Sequence, residues 1–394
     1  MRIAMIGQKG APAIYGGVER HVEDLSQRLT LAGHEVTIYS RKWYTKQNQD
    51  FAYKGMQVVH TPNMRTKHLD TITHTLTSTI HALFGSYDVI HYHGVGPTLL
   101  SWIPRLFARN TKVIATFHCI DRYHQKWGLL ARIILRMGEW TACNIPHQTI
   151  TVSEALGLYC LNEFKTNTHY IPNGVNIPEQ ISDSSHLKAF GLEKGKYLTM
   201  VSRLVPHKGA HLLIEAFNNL KRKHAHDDRV RDLKLAIVGG GVFTDGYVRE
   251  LHKLAGQSNN IVFTDFQSGD VLESLYANCS ALVHPSLNEG LPLTVLQAMS
   301  YEKPVLLSNI PEHLELTQDI RAIFNQNEVE AVEKKMLEFI LMSDQEKMTL
   351  GQINRETVEI KYRWDVIAEK TIKLYEEAVN ADEQSELIAT VTQA

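Results

Sequence analysis

No apolar run in this chain approaches the ~18 residues that a membrane span takes. Cysteine is scarce: Cys119, Cys143, Cys160 and Cys279 form no CxxC pair, and their spacing fits no zinc or disulfide framework. A reducing, cytoplasmic compartment is therefore expected. The opening MRIAMIG carries one charge and then a strand-like run too short for a secretory leader. No Asp-any-Asp pair occurs, which argues against a metal bridging substrate phosphates. The GxGxxG dinucleotide fingerprint and the GK[ST] of a P-loop are also missing. So are close repeats, low-complexity blocks and heptad arrays. Net charge is only −2, which by itself excludes nothing.

What is present is ordinary globular material, 43% hydrophobic and 21% charged over 394 residues. At ~150 residues per domain, two or three domains are expected. The charge is unevenly split. Residues 1–180 hold 18 Lys/Arg against 12 Asp/Glu, and the remainder holds 23 against 31. A basic first half suits an anionic partner such as substrate phosphates, an anionic membrane surface or nucleic acid; uneven solvated surfaces read the same way.

Short β-rich runs alternate with helical patterns. RIAMIG (2–7) ends in glycine, and a helix follows with Val18, Val22, Leu25 and Leu29 on one face, closed by Gly33. Strands at 35–40, 57–62, 87–94, 112–120 and 148–153 and helices near 68–84, 97–109 and 125–142 complete a first β–α series. THYIPNGVNIPEQISDSS (168–185) breaks the rhythm and reads as a linker. The alternation then restarts with strands at 196–204, 233–241, 261–266, 281–286 and 304–309 and intervening helices. Helices near 327–348, 350–361 and 364–380 and a polar tail at 381–394 close the chain. The expected architecture is α/β, with two doubly wound parallel-sheet domains facing a cleft. Ligands of such sheets bind beyond the carboxyl ends of the strands, so chemistry is sought in the loops there.

Four loops carry candidates. GQKGAPAIYGGVER joins the first strand to its helix through Gly16 and Gly17; bare N–H groups at a helix N-terminus suit a phosphate, although the pair also makes a tight turn. SRLVPHKG sets Arg203 and Lys208 five apart across a turn, well placed for a diphosphate unless they are merely solvated cations. HPSLNEGLPLTVLQAM places Glu289 on a Gly/Pro turn before an apolar helix, with Gln297 eight residues on. These two could hold sugar and ribose hydroxyls, or interact only with the helix N-terminus and solvent. In TFHCIDR, His118 stands at a strand end, where it could contact a sugar, act as an acid or base, or only support structure. His91 and His93 alternate onto one face and read as too isolated for a metal site.

The order of these motifs, with IPNGV (171–175), VGGG (238–241) and YRWDVIAEKTIKLYEE (362–377), resembles the family-four glycosyltransferases, retaining enzymes of the GT-B fold. The resemblance covers about residues 1–380, and its opening GQKGAPAIYGGVERHVE is similar to bacterial polysaccharide-assembly members, some of them rhamnosyltransferases. It implies two Rossmann-like domains, 1–175 for the acceptor and 176–363 for the nucleotide sugar, with helix 364–380 crossing back to the first and 381–394 as tail. It implies that Gly16 and Gly17 approach the donor phosphates and sugar, and that Arg203 and Lys208 neutralise the diphosphate. Glu289 would bind donor-sugar hydroxyls, with Gly290, Leu291, Pro292 and Leu293 supporting sugar and phosphate. Gly240 and Phe266 would flank the base, and His118 would lie beside the sugar. The family's second acid, which holds the ribose, is here Gln297, the one departure.

The implied reaction moves a sugar from a nucleotide diphosphate-sugar to a hydroxyl of a glycan or lipid-linked acceptor, with retention. Neither cofactor nor metal is expected, and nucleic acid is not an expected partner. A nucleotide-sugar 2-epimerase and a catalytically degenerate nucleotide-sugar-binding subunit are the alternatives. Residues 123–140 mix Trp127, Leu130, Ile133, Ile134 and Met137 with Lys126, Arg132 and Arg136. They read either as a helix lying on the inner face of a membrane or as a domain helix with a buried face.

Overall fold

A computed structural model describes residues 1–392 apart from 46, 48, 67, 68, 124–127, 180–182, 242 and 243, and the backbone alone at 123 and 382–392. The chain forms two compact units, Met1–Gly174 with Trp364–Ala394, and Val175–Arg363.

The first unit carries an eight-stranded sheet. Its strands are β1 (Arg2–Ile6), β2 (Glu35–Arg41), β3 (Phe51–Tyr53), β4 (Met56–Thr61), β5 (Val89–His93), β6 (Lys112–Phe117), β7 (Gln148–Thr151) and β8 (His169–Tyr170). The order is β3-β4-β2-β1-β5-β6-β7-β8. All neighbours run parallel except β3, which pairs antiparallel with β4. The alternation pattern missed β3. Its hairpin turns on Lys54 and Gly55, both with positive φ, at 49° and 81°. That is the two-residue loop whose twist matches paired strands, so the KG dipeptide was the available signal. β1, β5 and β6 are buried along nearly their whole length, as a sheet covered on both faces requires.

The helix expected over 97–109 is instead two pieces, Val95–Thr98 and Trp102–Phe107. Pro97 and Pro104 lack the N–H that an interior turn needs, and breaking the helix puts each in a first turn. The helix expected near 125 begins at Leu129. The helix expected to stop at 380 runs Trp364–Thr392, because 381–392 contains no proline or glycine and is rich in helix formers. It starts on the first unit, where Trp364 is buried so close to Gly174 that a Cβ there would meet the indole at 2.4 Å. Arg28 bonds Asp365 at 3.0 Å, and the Tyr375 hydroxyl lies 2.6 Å from His91 Nδ1.

The second unit carries six parallel strands: β9 (Tyr197–Val201), β10 (Lys234–Val238), β11 (Ile261–Asp265), β12 (Ala281–His284), β13 (Val305–Ser308) and β14 (Ile323–Phe324). They lie in the order β11-β10-β9-β12-β13-β14. Its core joins Leu198, Leu213, Phe217, Leu235, Val283, Leu306 and Phe339 from strands and covering helices. The order reverses between β9 and β12, so the loops after these two strands emerge side by side, at the position where open α/β sheets bind ligands.

Candidate active site

The loop after β9 is a tight turn. Val205 N donates to Arg203 O at 2.9 Å and Lys208 N to Val205 O at 3.0 Å. Gly209 follows with φ 75°, and a Cβ there would meet the Pro285 carbonyl oxygen at 2.2 Å. Only glycine lets the turn approach the strand β12 exit this closely. Leu287 N in turn donates to His207 O at 2.8 Å, tying the β9 and β12 loops together.

This approach unites residues 81 apart in sequence. The Lys208 ammonium donates to Glu289 Oε1, and the same oxygen lies 2.8 Å from His284 Nε2. The carboxylate is buried, with 7% of its side chain exposed. Burial pushes the Glu289 carboxyl up, but Lys208 and His284 outweigh that and hold it well below the usual range. Burial lowers His284 and takes His313, beside it, down to about 3. Both contacts fall on Oε1, and Oε2 accepts no hydrogen bond among the described residues. His284 is a site residue that sequence reasoning passed over, although it stands in the quoted HPS segment. Glu312, on the short helix Pro311–Leu314, was passed over too. Burial, with Glu289 adding repulsion, raises its carboxyl to about 7.

Arg203 is exposed, and its guanidinium has no partner among the described residues. Gly240 has open space around it, and its carbonyl accepts from Leu204 N at 2.9 Å, next to the Arg203 turn. Phe266, just past β11, is half exposed. Gly290, Leu291 and Pro292 are buried, and Pro292 caps the helix Leu293–Ser300 with no side-chain hydrogen bond to its N-terminal N–H groups. Gln297 on that helix is half-buried, and its amide has no hydrogen bond among the described residues. The second unit thus gathers Arg203, Lys208 and Glu289 around one turn, with Gly240 and Gln297 on adjoining elements.

In the first unit the glycine loop is pinned from below. Tyr44 Oη accepts from Ile14 N at 2.7 Å and Tyr15 N at 3.1 Å, while Gln8 donates to Met5 O and Tyr39 O. Gly16 has φ 110°, and a Cβ there would strike Glu19 Oε2 at 1.9 Å. The helix Gly17–Leu31 has no side-chain cap. Its N-terminus is open to an acceptor, although an anion arriving there meets Glu19, which pairs with Lys9 at 3.4 Å.

His118 is buried just past β6, its Nε2 3.2 Å from His93 Nδ1. His93 and His91 are not isolated, because parallel register brings β5 beside β6, and the helix Gly17–Leu31 adds His21. His21 and His118 rings sit 4.8 Å apart between centroids, and His91 and His93 4.1 Å. Burial lowers all four, His21 to about 4, His91 to about 3, and His93 and His118 well below the ordinary value. His118 is therefore a neutral imidazole at working pH, a hydrogen-bonding group more than an acid. Nδ1 of His21 is buried without a geometric hydrogen-bond partner among the described residues, although the ring also interacts with the Asn173 side chain.

The helix Leu129–Asn144 buries Gly138, Glu139, Ala142 and Cys143. Its apolar side chains Leu129, Leu130, Ile133, Ile134, Met137 and Trp140 face outward, 44–77% exposed. Lys126 and Trp127 lie outside the described residues. A cavity of about 450 Å³ is lined by Arg122, Arg132, Ile133, Arg136 and Met137. Arg122 and Arg136 are engaged by buried Glu139 at 3.0 and 3.3 Å, whereas Arg132 has no ion pair among the described residues. No helix of the described residues is long and apolar enough to cross a membrane.

Comparison with known proteins agrees with this architecture. Residues 15–178 match the family described as glycosyltransferase family 4, and residues 184–357 match glycosyl transferases group 1. The GDP-mannose-dependent alpha-(1-6)-phosphatidylinositol monomannoside mannosyltransferase of Mycobacterium tuberculosis is 25% identical, over 91% of this chain and 94% of its own. The sucrose-phosphate synthase of Thermosynechococcus elongatus shares the fold with a TM-score of 0.79 at 20% identity, covering 96% of this chain and 99% of its own. HepE of Anabaena, solved with UDP-glucose, superposes with a TM-score of 0.76 at 20% identity, covering 96% and 100%. These likenesses establish two parallel-sheet domains of the GT-B type.

Proposed function

The chain belongs to the glycosyltransferases that join a family 4 domain to a group 1 domain, and from that membership we propose that it is a retaining transferase using a nucleotide diphosphate-sugar. The observation that carries the proposal is the turn after β9, where an exposed Arg203, without a side-chain partner among the described residues, adjoins a Lys208 fixed on Glu289. Arg203 and Lys208 take the diphosphate and supply positive potential where leaving-group charge develops, so no metal bridges the phosphates. Arg203 suits this as a bidentate donor, Lys208 as a point charge. Oε2 of Glu289 accepts from the donor sugar's hydroxyls, with Gly290 to Leu293 supporting sugar and phosphate. Gln297 takes the ribose, and Gly240 and Phe266 flank the base. In the first unit, Gly16 and Gly17 offer the open N-terminus of Gly17–Leu31 to an acceptor, and neutral His118 is a hydrogen-bonding group suited to a hydroxyl.

The sugar leaves with its C1–O bond broken, the acceptor hydroxyl attacks the face just vacated, and the leaving phosphate takes the acceptor's proton. No protein nucleophile is required. The acceptor is a glycan or lipid-linked hydroxyl in cell-surface polysaccharide or glycoconjugate assembly. The outward apolar face of Leu129–Asn144, with Arg132 making no ion pair among the described residues, supports peripheral attachment to an anionic membrane.

The test is a panel of UDP-, GDP- and dTDP-sugars read by thermal shift and by sugar release. A donor that binds only the folded chain stabilises it by ~2.7 kcal/mol at 100-fold excess over Kd. One class must stabilise the protein and be turned over, and Arg203→Ala must abolish turnover while leaving stability within about 0.5 kcal/mol. No response to any donor, or full turnover by purified Arg203→Ala, overturns the assignment.

A further inference from the structure

We propose that His21, His93 and His118 form a binding site for a divalent transition-metal cation of the zinc class. One ring nitrogen from each lies within 4.8 Å of those of the other two, and all three residues are buried. They arrive from separate elements: the helix Gly17–Leu31, the last residue of β5 and the first residue after β6. Zinc holds imidazole nitrogens at ~2.0–2.1 Å, which in a tetrahedron sets them roughly 3.4 Å apart. His93 Nδ1 and His118 Nε2 already stand 3.2 Å apart. His21 brings the third ring nitrogen, and its buried Nδ1 has no geometric hydrogen-bond partner among the described residues, although its side chain also interacts with Asn173.

The surroundings fit the same ligand. Burial keeps the three rings in the neutral form that binds metal. An all-imidazole set suits zinc, copper or nickel and not the hard, oxygen-seeking magnesium or calcium. Packed against His93, His91 has both nitrogens engaged, by Tyr375 and by Thr116 at 2.7 Å, so it buttresses the set without joining it. The other histidine cluster, His284 and His313 with Glu289, lacks this fit. Lys208 already neutralises Glu289 and would repel a cation. A cation on Nε2 of His118 leaves that ring's proton on Nδ1 and so fixes its tautomer.

The full chain, stripped with a chelator and titrated with zinc against a chromophoric competitor, decides the matter without reference to transfer activity. One zinc per chain is expected to bind tightly. His21→Ala and His93→Gln should each weaken binding at least tenfold, and His313→Gln should leave it unchanged. Cobalt(II) bound in place of zinc should show the intense visible bands of a four-coordinate ion. Absence of stoichiometric zinc, zinc binding that survives both His21→Ala and His93→Gln, or the weak spectrum of six-coordinate cobalt overturns the site. Circular dichroism identifies a variant that has lost its fold. The other variant and the cobalt spectrum then carry the decision.

Discussion

Lys208→Met tests whether the second unit's site is built around a buried ion pair. Methionine keeps the length and apolar stem of lysine but removes the cation. Glu289 then keeps only its 2.8 Å contact with His284, in a position where 7% of its side chain reaches solvent. Removing one partner of a buried pair costs about 3–5 kcal/mol, because the other charge stays behind. The remaining histidine offsets part of this, so about 2–4 kcal/mol is expected. In a unit of this size 1 kcal/mol shifts Tm by about 2–4 °C, which places the second unit's melting roughly 5–15 °C lower. The loss has a sign in pH. In the native protein Glu289 is held below the ordinary range, so its pairing stabilises above the unfolded carboxyl value of ~4.3 and is lost as pH falls through the folded one. The gap between native and variant should be full at pH 8 and close in acid. Adding Glu289→Gln to Lys208→Met removes the stranded charge and should recover most of the loss. Urea unfolding of the four proteins of this cycle at pH 8 measures it. A Lys208→Met protein within 0.5 kcal/mol of native, or no recovery in the double variant, refutes the buried-pair reasoning. Because Lys208 carries this second duty, exposed Arg203, which has no side-chain partner among the described residues, is the cleaner probe of phosphate binding.

The four-histidine group makes a pH prediction with the opposite dependence to a cationic switch. Each ring is lowered by burial, so the unfolded chain takes up protons first and stability falls as pH drops below ~6.5. Denaturant midpoints at pH 7.5, 6 and 5 should show that decline in the first unit; flat midpoints refute it. Glu312 is raised to about 7, so its ionisation opposes folding at pH above the unfolded value. Glu312→Gln should stabilise the chain by roughly 1–3 kcal/mol at pH 8.5 and by nothing near pH 4; equal gains at both pH values would contradict this. Gln297→Glu restores a charged acceptor to the ribose position and should tighten donor binding by about 1–2 kcal/mol, five- to thirtyfold in Kd by calorimetry. An unchanged Kd would place the ribose elsewhere.

Much of this molecule was legible because its signals are local. Parallel strands buried on both faces leave unbroken apolar runs, so β1, β5, β6 and β9 could be read directly from RIAMI, VIHYH, KVIATF and YLTMV. Glycines and prolines marked the turns at Gly16, Gly209 and Pro292, and the order of the motifs between them marked the family. Local signals were overlooked too: the Lys54-Gly55 hairpin, the prolines that divide the helix expected over 97–109, and Ser153 capping the helix Glu154–Phe164.

By itself the sequence determined two β–α series, the loops where ligand chemistry belongs and the residue types in them, since periodicity and turn conformation involve only neighbouring residues. Only the tertiary structure decided which of those residues meet. Parallel register and the β9–β12 crossover bring Lys208 to Glu289 and add His284. The β5–β6 pairing and the first helix turn scattered histidines into one buried group. The same patterning along Leu129–Asn144 fitted a buried or an outward apolar face, and packing left it outward. Contacts across tens of residues are fixed by burial and register, which no short stretch of sequence encodes.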